Sequence, residues 1–110
     1  MSDIRSLTQA ILQFRDERDW AQFHNGKDLA TLLAVEAGEL LELFLWKTPG
    51  EAVDPGKLCD ELADVVYAAL LLAHEHGLDV REIVLQKLEK NRQKYPVEKA
   101  KGRREKYDEL

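Results

Sequence analysis

Two pairs of acids spaced three apart, Glu36 with Glu39 and Glu61 with Asp64, are the side chains of this 110-residue sequence whose types and spacing point to chemistry. At about 100° per residue on a helix, Glu36 falls among Leu29, Leu32, Leu33, Leu40 and Leu43, near the middle of an apolar stripe. Glu39 lies one turn on at the edge of that stripe, and Glu42 is rotated further outward. Glu61 and Asp64 repeat the arrangement among Leu58, Leu62, Val65, Ala69 and Leu72. A single E-x-x-E usually marks a solvated helix face, but two such pairs embedded among leucines and valines do not read that way. Removing ionised carboxylates from water is costly unless a cation joins them. No Lys or Arg lies between Lys27 and Lys47 or between Lys57 and Arg81, so neither segment carries its own counter-charge; lysines from elsewhere in the chain are the remaining alternative. Oxygen donors without clustered Cys or His favour Mg²⁺, with Mn²⁺ or Ca²⁺ as competitors, over zinc or copper.

The elements that must position these acids are helices. Ser2 or Asp3 can cap a first helix whose Ile4, Leu7, Ile11 and Phe14 follow three-and-four spacing, running to about Arg18. The stretch Asp19 to Gly26, with Trp20, Phe23 and His24, reads as a loop. A second helix is expected from about Asp28 to Trp46, stopped by Thr48-Pro49-Gly50. A third should begin near Pro55 or Gly56 behind Asp54 and run to about His76, before Gly77. Asp79 then caps a fourth, carrying Val80, Ile83, Val84 and Leu88 and ending before Pro96. The segment from Val97 to Leu110 alternates basic and acidic residues and reads as a frayed tail, which leaves residues 1–96 as the domain and 97–110 as its appendage. The fold class is therefore all-α and like a four-helix bundle. Val35, Leu41, Phe44 and Leu45 spread apolar surface around the second helix, more than so small a unit can bury, which implies a subunit interface.

Composition narrows the function classes. With 45% hydrophobic and 34% charged residues and a net charge of -5, the chain suits one soluble, mildly acidic domain and not a sequence-independent nucleic-acid surface. The lone Cys59 forms no internal disulfide, and Met1 to Leu12 lack the features of a secretory signal, so a reducing cytoplasm is the expected location. The apolar runs are short and carry acids, which argues against a membrane span. There is no P-loop, no Ser/His/Asp set and no paired-Cys motif. A di-iron carboxylate bundle would require Glu-x-x-His, and none of His24, His74 and His76 has Glu three residues earlier.

Other residues have both an ordinary and a functional reading. Trp20 and Trp46 can pack a core or stack on a nucleobase, and His24 lies in the loop between them. Lys87 and Asn91 share a helical face, near Arg92 and Lys94; the set suits phosphate oxygens or simply water.

Taken in order, Glu36-Ala-Gly-Glu39, Glu61-Leu-Ala-Asp64 and Lys87-Leu-Glu-Lys-Asn91-Arg92-Gln-Lys-Tyr95-Pro96 resemble the MazG-like nucleotide pyrophosphohydrolases. The likeness is closest to the single-domain dCTP pyrophosphatase branch and extends from about Arg15 to Pro96, including Arg18-Asp19-Trp20, Phe23-His24 and Leu43 to Lys47. The resemblance implies an all-α bundle assembling as a homodimer or dimer of dimers, with Mg²⁺ held by Glu36, Glu39, Glu61 and Asp64. It implies cleavage of nucleoside triphosphates between the α and β phosphates, in a house-cleaning role and without a nucleic-acid polymer or membrane as partner. Glu39 would take the proton of the attacking water, Lys87 and Asn91 would hold phosphate oxygens, and Trp20, His24 and Trp46 would enclose the base. Where dCTP-specific relatives are expected to carry a histidine and a tyrosine, this sequence has Ile11 and Ala68, which leaves room for a broader or different deoxynucleotide preference. The rival classes are a non-catalytic helical oligomerisation module, with structural metal or a basic partner, and a phosphohydrolase that releases orthophosphate or acts on a non-nucleotide pyrophosphate ester.

Overall fold

A computed structural model describes residues 3–110, so Ser2, one of the two expected caps, lies outside the described residues. Five α-helices follow one another: α1 (Ile4–Asp16), α2 (Gly26–Glu42), α3 (Pro55–Glu75), α4 (Val80–Lys94) and the single turn α5 (Val97–Ala100). Short 3-10 turns occupy Ala21–Phe23 and Tyr107–Glu109, and no strand occurs among the described residues. The all-α expectation holds.

Each long helix starts where a side chain can satisfy an otherwise orphaned backbone N–H. Asp3 Oδ1 accepts from Ser6 N–H at 2.7 Å while Ser6 Oγ accepts from Asp3 N–H at 3.0 Å, a reciprocal capping box. Asp54 accepts from Lys57 N–H at 2.9 Å with Pro55 at the first helical position, and Asp79 accepts from Glu82 N–H at 3.0 Å. In α2 the cap is Asn25, whose Oδ1 accepts from Asp28 N–H at 2.9 Å, and Asp28 is the first-turn acid.

The helix ends depart from the sequence expectation for identifiable reasons. α1 stops at Asp16, two residues early, because Trp20 N–H turns back to the Arg15 carbonyl and Asp19 N–H to that of Asp16, both at 3.1 Å. Asp19 takes the left-handed conformation (φ 55°) that this closure requires, which Asp tolerates better than most residues. α2 ends at Glu42 and not at Trp46. The N–H groups of Phe44, Leu45 and Lys47 bond three residues back, to Leu41, Glu42 and Phe44, tightening the chain into turns before Pro49. Gly77 (φ 65°) closes α3, with Leu78 N–H on the Ala73 carbonyl at 2.9 Å.

The chain forms two compact units, one through Leu78 and one over Asp79–Leu110. In the first, α2 and α3 form the main packed pair and α1 lies on α3. The buried apolar core is Leu29, Ala68, Leu70, Leu71 and Ala73. In the second unit the charged segment after Pro96 is not simply frayed: the Tyr107 ring meets Tyr95 edge-on at 6.1 Å, and the Lys94 ammonium sits 5.0 Å from the Tyr107 ring centre. No helix among the described residues is long and apolar enough to cross a membrane.

Candidate active site

The stripe read from the sequence is the face by which α2 meets α3. Leu29 is buried and Leu32, Leu33, Glu36, Leu40 and Leu43 are half-buried. On α3 the corresponding line is Leu58, Glu61, Val65, Ala68 and Leu72, all buried or half-buried, whereas Leu62 points outward at 49% exposure. The helical repeat therefore places Glu36 and Glu61 on the packed faces of their helices.

Glu36, Glu39 and Glu61 each offer a carboxylate oxygen, and the three oxygens lie within 4.8 Å of one another. Glu36 Oε2 and Glu61 Oε2 are buried without a hydrogen-bond partner among the described residues. Burial first, then proton sharing with Glu39 and repulsion by Glu39, Asp64 and Glu61, holds the Glu36 carboxyl above the usual carboxylate range. Glu61 is raised in the same direction, by burial first and then by Glu39 and Asp64. No described Lys or Arg of this unit makes an ion pair with any of the four acids, so the alternative of internal lysine partners finds no support here.

The pocket is wetter than its sequence pattern implies. Glu39 is exposed at the rim, and so is Asp64, which is outside the group of three although its charge bears on both Glu36 and Glu61. The donor set fits a hard divalent cation: every ligand is a carboxylate oxygen, and Glu36 and Glu61 each carry a buried Oε2 with no hydrogen-bond partner among the described residues.

A second cluster forms where α1 turns into the following loop. The Phe14 ring meets Trp20 at 5.7 Å and Tyr67 of α3 at 6.3 Å, both edge-on. The Arg18 guanidinium covers Phe14 at 3.8 Å and donates from Nη1 to the Phe14 carbonyl at 2.9 Å. Sequence reasoning singled out Trp20 but missed Phe14, Arg15 and Tyr67 as its companions. The available signal was Arg15 itself, a cation four residues after Ile11 on the inward side of α1. His24 is half-buried, and its Nδ1 has no hydrogen-bond partner among the described residues; burial and then Arg15 hold its pKa below the ordinary value, with Glu75 opposing.

Trp46 is set apart from this cluster: it is 98% exposed, in the left-handed region at φ 63°. Lys87 and Asn91 belong to the second unit, one turn apart on α4, with Lys87 exposed and Asn91 half-buried. Ala68, where a tyrosine was expected from the resemblance, is fully buried, and Ile11 is half-buried.

Residues 32–110 match the MazG-like family, a span that includes all four acids together with Lys87 and Asn91. The chain belongs to the MazG-like family. It is similar over its whole length to dCTP pyrophosphatase 1 of Mus musculus and of Homo sapiens, at 40% identity in each case, covering 67% of those proteins. A pyrophosphatase from Archaeoglobus fulgidus has the same fold, with a TM-score of 0.78 and 31% identity over 87% of this chain and 94% of that one. Membership of the MazG-like family gives the two acid pairs their context: they stand on adjacent helices of a pyrophosphatase fold.

Proposed function

We propose that this MazG-like protein hydrolyses deoxynucleoside triphosphates to the monophosphate and pyrophosphate in a Mg²⁺-dependent reaction. The carrying observation is the convergence of carboxylate oxygens from Glu36, Glu39 and Glu61, with buried and unpartnered Oε2 atoms on Glu36 and Glu61 and no described Lys or Arg of that unit ion-paired to them. Relatives named dCTP pyrophosphatase 1, 40% identical over the full chain, support the same reaction class, and the chain is a nucleoside triphosphate pyrophosphohydrolase of their kind. The structural neighbour is likewise a pyrophosphatase.

Glu36, Glu61 and Glu39 would hold the metal, with Asp64 adding charge from the rim. When bound, Mg²⁺, or Mn²⁺ in its place, supplies charge neutralisation along the triphosphate. Glu39 is the exposed member of the three, with a carboxylate oxygen within 4.8 Å of those of both others, so we assign it the base role. Water attacks the α phosphorus, the bond to the bridging oxygen breaks, pyrophosphate leaves, and the water's proton passes to Glu39. Trp20 and His24, with Trp46, are assigned to the nucleobase, and Lys87 and Asn91 to phosphate oxygens. The family match runs through the charged segment after Pro96, which we still regard as an appendage to a domain spanning 1–96. A lone free Cys59 suits a reducing cytoplasm.

We further propose that the chain works as a homodimer or dimer of dimers. Val35, Leu41, Phe44 and Leu45 on and after α2, and Leu62 and Val66 on α3, are all more than 40% exposed. Gly38 lies inside α2, four residues before its end, and apart from its own stretch of helix no described atom comes within 4 Å of where a Cβ would stand, so packing among the described residues does not explain this helix-weakening residue. Close approach of a second copy would use it.

The test is incubation with dCTP, dTTP, dATP or dGTP and MgCl₂, followed by identification of the products. Pyrophosphate release, which Glu39→Gln abolishes to a greater degree than it weakens Mg²⁺ binding, is the expected result. Orthophosphate release favours the rival phosphohydrolase, and no product from any of the four favours the non-catalytic module.

A further inference from the structure

Arg15 is a basic side chain that α1 turns inward. Its side chain is only 12% exposed, whereas its ion-pair partner Asp16 is 57% exposed. Asp16 Oδ1 accepts from Arg15 Nε at 2.9 Å and lies 2.9 Å from Nη2 in the same ion pair, which occupies one edge of the guanidinium fork. The Nη1 donors on the other edge have no acceptor among the described residues.

The surroundings define what would complement that free edge. The turn that ends α1 ties Trp20 N–H to the Arg15 carbonyl, so the Trp20 ring and the arginine are held in one local unit. Phe14 links Trp20 to Tyr67, and the charge of Arg15 is felt at both Tyr67 and His24. His24 contributes a second unmet polar position, the buried Nδ1. The Phe14, Trp20 and Tyr67 rings packed edge-on in this part of the unit suit a planar heterocycle better than a tetrahedral phosphate. Asp16 already neutralises the arginine, so the pair offers hydrogen-bond donors without a strong net charge. A neutral carbonyl oxygen matches that better than an anion.

We propose that Arg15 is a specificity-determining residue that donates from Nη1 to a carbonyl oxygen of the nucleobase. The inference rests on the functional reading above and refines it. Cytosine, thymine and guanine each carry such an oxygen and adenine does not, so the enzyme should discriminate against dATP. A site built to donate to a polar atom rejects an analogue lacking it, because the donor is then buried unpaired.

Pyrophosphate release from the four deoxynucleotides, with MgCl₂, is to be measured for the wild type, Arg15→Met and Arg15→Lys. The wild type should show higher kcat/KM for dCTP, dTTP and dGTP than for dATP. In Arg15→Met the ratio of each to dATP should fall by roughly tenfold or more, mainly through KM. Arg15→Lys, which keeps the charge but loses the fork, should fall between the two, and it carries the same measurement if the methionine variant does not fold. An equal fall for all four nucleotides, as a phosphate contact or a purely structural role would give, overturns the inference, as does a wild type indifferent to the base. A wild type that releases pyrophosphate from none of the four removes the functional reading and this inference together; an active enzyme with an unchanged ratio removes the inference alone.

Discussion

Replacing Glu36 by Gln should make the metal-free protein more stable and make it indifferent to Mg²⁺. Unit charges 4.8 Å apart repel by about 1 kcal/mol even under water-like screening, and Glu36 and Glu39 have oxygens within that distance. Removing one charge should therefore raise the melting temperature of the metal-free protein by roughly 4 °C, given about 4–8 °C per kcal/mol for a unit of this size. In the wild type, a cation at about 100 times its Kd adds about 2.7 kcal/mol, or roughly 10 °C. The sign of the pH effect follows from the raised carboxyls of Glu36 and Glu61. A folded-state pKa above the unfolded one makes stability rise as pH falls through the folded value, so the metal's benefit should be smaller at pH 5 than at pH 7.5 because protons compete with it. Differential scanning fluorimetry with and without MgCl₂, at both pH values, reads all of this. The reasoning is refuted if Glu36→Gln melts below the wild type, or if the two proteins gain equally from Mg²⁺.

Three further outcomes are expected. Leu71→Ala, at a position 1% exposed in the α2–α3 core, should cost about 2–5 kcal/mol, seen as a lower urea midpoint. Trp46→Ala removes a side chain that is 98% exposed, so its melting temperature should match the wild type within about 0.5 kcal/mol while KM for the nucleotide rises; a stability loss with unchanged KM would assign Trp46 to packing instead. For His24, whose folded pKa is depressed, stability is fully present above its unfolded value of about 6.5 and is lost as pH falls; His24→Gln should therefore flatten the fall in urea midpoint between pH 7.5 and pH 5.5 relative to the wild type.

Starts of helices and the faces they bury were legible in the sequence because both are set by neighbours a few positions away. Asp3, Asp54 and Asp79 cap as expected, since the groups they satisfy lie three residues on. The same locality put Glu36 on an apolar stripe before any partner helix was known. Helix ends were less legible: α2 gives up four apolar residues to turns because the backbone must reverse ahead of Pro49, which an apolar run does not encode. Nor does periodicity distinguish Glu61, on the packed line of α3, from Asp64 at its rim, because both flank the same leucines and only the placement of α2 selects between them.

What the sequence determined by itself is the inventory: an all-helical chain whose helices begin at named caps, and acidic pairs with no nearby positive charge in the chain. The tertiary structure decided which oxygens meet, that Glu39 and Asp64 face water, and that Arg15 turns inward beside His24 and Tyr67. The physical reason is range. Caps and stripes depend on contacts within one or two turns of a helix, whereas desolvation and charge convergence depend on residues brought together from different helices.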